Sequence, residues 1–141
     1  MMRISIASDH AGFKLKEDIK KFLLKKRKRV LDLGTKNSKS VDYPDYAHLL
    51  SKKIKNKKNE FGILVCGSGI GMDMTANKHK NIRAALCYSI KSTKLSRQHN
   101  NANVITIGAR FIKKNLALKC VNTFITTDFE GGRHLRRIKK I

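Results

Sequence analysis

The sequence has no tryptophan, one proline and three cysteines, and its ten acidic residues face 32 lysines and arginines. Each shortage excludes something. Cys66, Cys87 and Cys120 form neither an even set nor a CxxC pair, so a disulfide framework is ruled out and a reduced, cytoplasmic setting fits. With Pro44 the only proline and nine glycines in all, no linker rich in Pro, Gly or Ser divides the chain, and no internal repeat is present. Residues 1–141 therefore read as one domain, long enough to bury a core without disulfides or metal. The opening apolar run Ile4-Ser5-Ile6-Ala7-Ser8 is cut off by Asp9 and His10 before it reaches signal-peptide or membrane length.

Acid is short and base is plentiful. The formal charge is +22 and the pI about 10.3, values that suggest a nucleic-acid partner. The lysines, however, are spread over every helix-like segment with few aromatics among them. Lys, Ile and Asn contribute 23, 14 and 10 residues, a bias that fits AT-rich coding acting on a tolerant surface. A solvated basic surface is favoured over a dedicated nucleic-acid face. Lys25-Lys26-Arg27-Lys28-Arg29 reads as a helix end with its connecting loop.

The chemistry gathers at Phe61 to Lys78, FGILVCGSGIGMDMTANK. Ile63-Leu64-Val65 is the kind of run that fills a strand buried on both faces of a parallel sheet. Cys66 falls where that strand should end. Gly67, Gly69 and Gly71 then alternate with Ser68 and Ile70, and a helix start with Asp73 in its first turn follows. The spacing is wrong for a dinucleotide fingerprint, and the Lys of a phosphate-cradling P-loop is missing. What remains is either a plain tight turn or a thiol beside an electropositive hole made of backbone N–H groups.

The rest of the chain predicts strands at Arg3–Ser8, Val30–Leu33, Ile82–Cys87 and Val104–Gly108. It predicts helices from Phe13 with Leu15, Ile19, Phe22 and Leu23 inward, from Pro44 with Ala47, Leu50 and Ile54 inward, across Ser89 to His99, and around Leu116, Cys120 and Phe124. His48 is expected on a helix surface. A glycine-hinged basic segment from Glu130 to Arg137 closes the chain as a final helix. This alternation implies a three-layer α/β/α, Rossmann-like domain with a five-stranded parallel sheet, whose ligands sit beyond the strand carboxyl ends. Asp9, His10, Cys66, the glycine turn and Arg110 all fall at such ends.

Set out in order, several motifs resemble the family of B-type ribose-5-phosphate isomerases and galactose-6-phosphate isomerases. They are Ser8-Asp9-His10-Ala11-Gly12-Phe13 with Lys16, Asp42-Tyr43-Pro44, Cys66 to Gly71, Ala76-Asn77-Lys78, Leu95 to Asn100, Gly108-Ala109-Arg110, and Glu130 to His134 with Arg137. The resemblance runs over nearly the whole chain. It implies an aldose–ketose isomerase acting on ribose 5-phosphate and ribulose 5-phosphate without a metal or organic cofactor. It also implies a homodimer or dimer of dimers with active sites built from both subunits, and His99, Asn100, Arg110, Arg133 and Arg137 near the shared cleft. By the same resemblance Cys66 is the proton-abstracting base and His99 the ring-opening acid/base. Asp9, His10, Tyr43, Gly67, Ser68, Gly69, Ile70, Gly71, Asn100, Arg110, Arg133 and Arg137 are implied to bind the sugar or its phosphate.

The residue types suit those roles. Moving a proton between C2 and C1 passes through an enediolate, which needs one base between two carbons and donors facing the oxygen that becomes negative. Cyclic pentose phosphates need a group titrating near neutrality to open the ring, and a phosphate dianion needs guanidinium forks. Three alternatives stay open: a hexose 6-phosphate as substrate, Asp73 as a rival base, and a basic nucleic-acid-binding protein on the same scaffold. His134 stands between a phosphate contact and a cap for the hinge.

Overall fold

A computed structural model describes residues 1–141. Five strands, β1 (Arg3–Ser8), β2 (Arg29–Asp32), β3 (Glu60–Cys66), β4 (Ala84–Leu86) and β5 (Val104–Gly108), form one all-parallel sheet in the order β2-β1-β3-β5-β4. Helices α1 (Phe13–Lys25), α4 (Ile90–Gln98) and α5 (Lys114–Thr126) cover one face; α2 (Tyr43–Lys53) and α3 (Ile70–Ala76) cover the other. A short α6 (Arg133–Ile138) follows Gly131 and Gly132, both at positive φ. The expected three-layer parallel architecture is present.

Side-chain alternation explains the layers. Along β3, Ile63 and Val65 enter the larger core with Leu15, Ile19, Leu23, Cys120 and Phe124, while Leu64 and Cys66 enter the smaller core with Ala47, Leu50, Met72 and Ala76. In α5, Ala117, Cys120, Val121 and Phe124 recur at helical spacing and are completely buried. Burial pushes the Cys87 and Cys120 thiols up in pKa, so both are packing groups. Full burial of a side chain such as Leu23 or Phe124 contributes roughly 1.5–3 kcal/mol.

Most predicted boundaries agree to within a residue or two. Ser89 caps α4 by accepting the Ser92 N–H at 3.1 Å, and His99 ends it. The basic run 25–29 spans the end of α1 and its loop, and His48 is exposed on α2. β4 is shorter than its apolar run Ile82–Cys87 suggested. The Ile82 N–H turns back to the His79 carbonyl, and the Arg83 N–H is taken by Asn103 Oδ1 at 2.8 Å. The chain leaves β1 toward β2 on one side and continues into β3 on the other, so the crevice of this sheet opens beyond the carboxyl ends of β1 and β3.

Candidate active site

Cys66 ends β3 and is 4% exposed. Its Sγ accepts the Gly69 N–H at 3.1 Å, and a hydrogen bond of this kind stabilises negative charge on sulfur. Gly69 reaches that position with φ +77, where a side chain is strained; a Cβ there would also lie 2.9 Å from the Gly108 backbone nitrogen. β5 holds the turn from beneath. Ala109 N–H donates to Cys66 O at 2.8 Å, Arg110 N–H to Gly67 O at 3.0 Å, and the Tyr88 hydroxyl to Ser68 O. Ser68 Oγ accepts the Ile70 N–H at 3.2 Å.

Two side chains lean over the turn. A Cβ on Gly67 would stand 2.9 Å from Arg110 Nη1, and one on Gly71 would press into the Tyr43 ring. Gly67 and Gly71 are therefore places where backbone and functional side chain approach closely. On the β1 side, Asp9 is 6% exposed and its Oδ1 accepts the Gly12 N–H at 2.9 Å. His10 Nδ1 accepts the Val41 N–H at 3.1 Å, which assigns the proton of the neutral ring to Nε2. Thus Cys66, the glycine turn, Asp9, His10, Tyr43 and Arg110 all stand at the carboxyl end of the sheet. Next to them the ammonium of the fully buried Lys16 meets both Asp32 oxygens at 2.8 Å, and Lys20 adds 2.7 Å. These lysines, with the Gly34 N–H, overcome the upward pull of burial and lower the Asp32 pKa to about 2.

Asp73 follows the glycine turn in the first turn of α3, where its N–H donates to Gly69 O at 3.0 Å. Its Oδ1 accepts from Thr106 Oγ1 at 2.8 Å and its Oδ2 from Asn77 Nδ2 at 3.4 Å. Burial raises its pKa against those two bonds. Asn77 also exchanges two hydrogen bonds with Ala84. Asp73 therefore ties α3 to β4 and β5, with both oxygens engaged.

The remaining expected residues are at the opposite end. His99 caps the carboxyl terminus of α4, which has run back down the sheet, and Asn100 precedes β5. Five residues of β5 at ~3.3 Å each separate that level from Gly108. Arg133 and Arg137 stand exposed on α6, one turn apart, and neither makes an ion pair within the chain. So one chain does not bring His99, Asn100, Arg133 and Arg137 to Cys66. Arg110, expected to lie with them, belongs by position to the Cys66 group.

The amino end is firmly constructed. Arg83 Nε donates to Asn100 O at 3.1 Å and Asn101 O at 3.0 Å. Arg97, 7% exposed, donates to Thr127 O, Asn101 Oδ1 and Ala102 O, with its guanidinium 5.0 Å from the Phe61 ring centre. Asn103 Nδ2 donates to Asn81 O at 2.7 Å. Arg83 and Asn103 were not singled out from the sequence, and Arg97 only as part of the Leu95 to Asn100 motif. The one available signal was Arg97 lying a turn from Thr93 on the inward face of α4. A polar cavity of 520 Å³ lies among Asn56, Glu60, Arg83, Arg97, Asn103 and Asp128. Its arginines already serve backbone carbonyls, so it belongs to the frame of this end and stands apart from Cys66. The His99 ring stacks on the His134 ring at 4.2 Å and 12°, and Glu130 Oε2 is 4.0 Å from His99 Nε2 and 3.5 Å from His134 Nε2.

Comparison with known proteins agrees with this fold. Residues 4–141 match the family described as Ribose/Galactose Isomerase. The ribose-5-phosphate isomerase B of Escherichia coli K12 is 39% identical over 141 residues, covering 100% of this chain and 95% of that protein. The crystal structure of a ribose 5-phosphate isomerase from Thermotoga maritima superposes with a TM-score of 0.95 at 50% identity, covering 99% of this chain and 96% of that one. The Mycoplasma genitalium ribose-5-phosphate isomerase B, solved with bound ribulose-5-phosphate, superposes with a TM-score of 0.94 at 46% identity, covering 99% and 93%.

Proposed function

This chain belongs to the ribose/galactose isomerase family, and from that premise we propose that it interconverts D-ribose 5-phosphate and D-ribulose 5-phosphate through an enediolate. The observation that carries the reading is Cys66 at the head of the glycine turn, its sulfur held by the Gly69 N–H and overlooked by Arg110 and Tyr43. The relative with bound ribulose-5-phosphate supports the pentose as substrate. The hexose-phosphate and nucleic-acid alternatives draw no comparable support from the relatives described above.

In this mechanism the Cys66 thiolate removes the proton at C2 of the open-chain aldose and returns it to C1, while the hydroxyl proton of O2 passes to O1 and C2 becomes the carbonyl. The carbonyl oxygen becomes negative as the proton leaves, and the N–H groups of the turn from Gly67 to Gly71 receive that charge. Asp9 and Tyr43 contact sugar hydroxyls. His10, with its Nε2–H free, and Arg110 face the phosphate end.

Ring opening needs a second proton carrier, and the imidazole of His99 is a side chain of the kind that does this work. Its place at the far end of the sheet supports a homodimer in which a second copy delivers His99, Asn100, Arg133 and Arg137 to this Cys66. The reaction so written calls on no metal or organic cofactor, since each proton donor and acceptor is a side chain of the two copies. A pathway enzyme of this kind works in the cytoplasm; no helix is long and apolar enough to cross a membrane.

The test is exchange of the C2 proton of ribose 5-phosphate in deuterated water, for the wild type and for Cys66→Ala. Exchange in the first and a loss of at least ~10²–10⁴ in the second is expected. Absence of exchange in the wild type sinks the reading.

A further inference from the structure

Glu130 presents one carboxylate oxygen to two imidazole nitrogens, and the three donor atoms, from His99, Glu130 and His134, all lie within 4.8 Å of one another. Tetrahedral metal–ligand bonds of ~2.0–2.2 Å place donor atoms roughly 3.3 Å apart. The Glu130–His134 separation of 3.5 Å is close to that value, and the Glu130–His99 separation of 4.0 Å is reached by a small side-chain movement.

The two histidines come from different elements. His99 ends α4, and His134 lies in the first turn of α6, 8% exposed. Their rings are held in a stack, and the Glu130 N–H is fixed to the Gln98 carbonyl at 3.1 Å. The helix starts directly after Gly131 and Gly132, and those positive-φ glycines let the segment turn into it. The three side chains are therefore already neighbours, and the two nearly parallel rings must tilt out of their stack for both Nε2 lone pairs to meet one ion.

We propose that His99, Glu130 and His134 form an inhibitory site for a divalent transition metal of the Zn²⁺ type. Two imidazoles and one carboxylate suit Zn²⁺, Co²⁺ or Ni²⁺ better than Mg²⁺ or Ca²⁺, which prefer all-oxygen shells. Coordination occupies His99 Nε2 with a metal bond, so that nitrogen can no longer pass a proton to and from the ring oxygen of the sugar. The inhibition rests on the ring-opening role given to His99 above; the binding does not. Arg133 and Arg137 stand on the same short helix as His134. The same arginines repel a cation, so added salt should tighten binding by screening them.

The experiment titrates the full chain with Co²⁺, read by its visible absorption, and with Zn²⁺, read by calorimetry and by turnover of ribose 5-phosphate. One ion per chain is expected in the wild type and in Cys66→Ala, without the thiolate charge-transfer band that a Cys66 site would give. Glu130→Gln, a change at an exposed side chain that keeps the fold testable, and His134→Asn should each weaken binding at least ~10- to 100-fold. Zn²⁺ should slow turnover of the wild type and a chelator should restore it.

No binding to the wild type, or binding lost in Cys66→Ala and kept in both ligand variants, overturns the site. Binding at full strength without any slowing of turnover overturns the inhibition. Failure of the isomerase reading is visible separately, as absence of C2 exchange in metal-free protein.

Discussion

At the carboxyl end of the sheet the backbone makes the site, whereas at the amino end side chains hold the backbone in place. Beside Cys66 the donors are main-chain N–H groups exposed by three glycines, one at positive φ, with Arg110 and Tyr43 lying directly on the chain. Around His99 the roles are exchanged. Arg83, Arg97 and Asn103 donate to carbonyls of residues 81, 100, 101, 102 and 127 and so fix a loop that leaves His99 and Asn100 at the surface. A reaction in which charge develops on an oxygen is suited by preorganised N–H groups of the first kind. A proton carrier that must reach another molecule is suited by a rigid loop of the second kind.

Three predictions sharpen or break that contrast. The largest effect belongs to Gly69→Ala. A methyl group at φ +77, 2.5 Å from Leu86 Cδ1 and 2.9 Å from the Gly108 nitrogen, should push the turn off the sulfur. Turnover should fall ~10²–10³-fold, with about 1–3 kcal/mol lost from unfolding free energy. Kinetics and urea denaturation check both, and full activity would mean that the turn contributes only shape.

The next concerns whether the two ends meet across subunits. Cys66→Ala and His99→Asn should each fail on the closed-ring sugar. When the two are unfolded together and refolded as a mixture, about half of the dimers are mixed, and each mixed dimer holds one intact site. Recovery of roughly a quarter of wild-type turnover is therefore expected. No recovery would break the proposed division between the ends.

The smallest effect separates the ends by their response to acid. The carboxyl end leans on Asp32, whose pKa is lowered from 3.8 to about 2 by Lys16, Lys20 and the Gly34 N–H. A depressed carboxylate pKa stabilises the fold above the unfolded value, and that contribution is lost as pH falls from about 4 through 2. Because 24% of the Asp32 side chain remains exposed, the loss should be about 1–2 kcal/mol, less than the full shift would give. The arginine–carbonyl bonds of the amino end do not titrate there. Urea midpoints between pH 5 and pH 2 should drop more for the wild type than for Asp32→Asn, and equal drops would remove Asp32 from the account.

How far each end could be read in the sequence follows from the same contrast. The strand, thiol and glycine turn at 63–71 are contiguous, so local pattern alone announced them, and Ser89 announced the start of α4. Arg83, Arg97 and Asn103 have partners up to 47 residues away, and nothing adjacent marks them as structural. Among so many basic residues, a structural arginine looks like any solvated one. The meeting of His99 with Glu130 and His134 also crosses elements, although the i,i+4 spacing of Glu130 and His134 was visible. Ile82 and Cys87 misled the length of β4 because both are buried, one in a turn and one just past the strand. For Asp73 the helix start was legible, while its engagement by Thr106 depended on the position of β5.

The shortage of acid has a consequence for the solvent around the molecule. Asp9, Asp32, Glu60 and Asp73 each hold part of the fold by accepting hydrogen bonds, which leaves few free carboxylates to offset 32 basic side chains. Counterions must neutralise most of the +22 charge. Near zero ionic strength the surface repels itself and the compact state is weakened; at ~0.15 M salt, charges more than ~8 Å apart no longer feel one another strongly. Salt that steadies the fold also dims the long-range pull on a dianionic sugar, so stability and capture rate should respond to ionic strength in opposite directions.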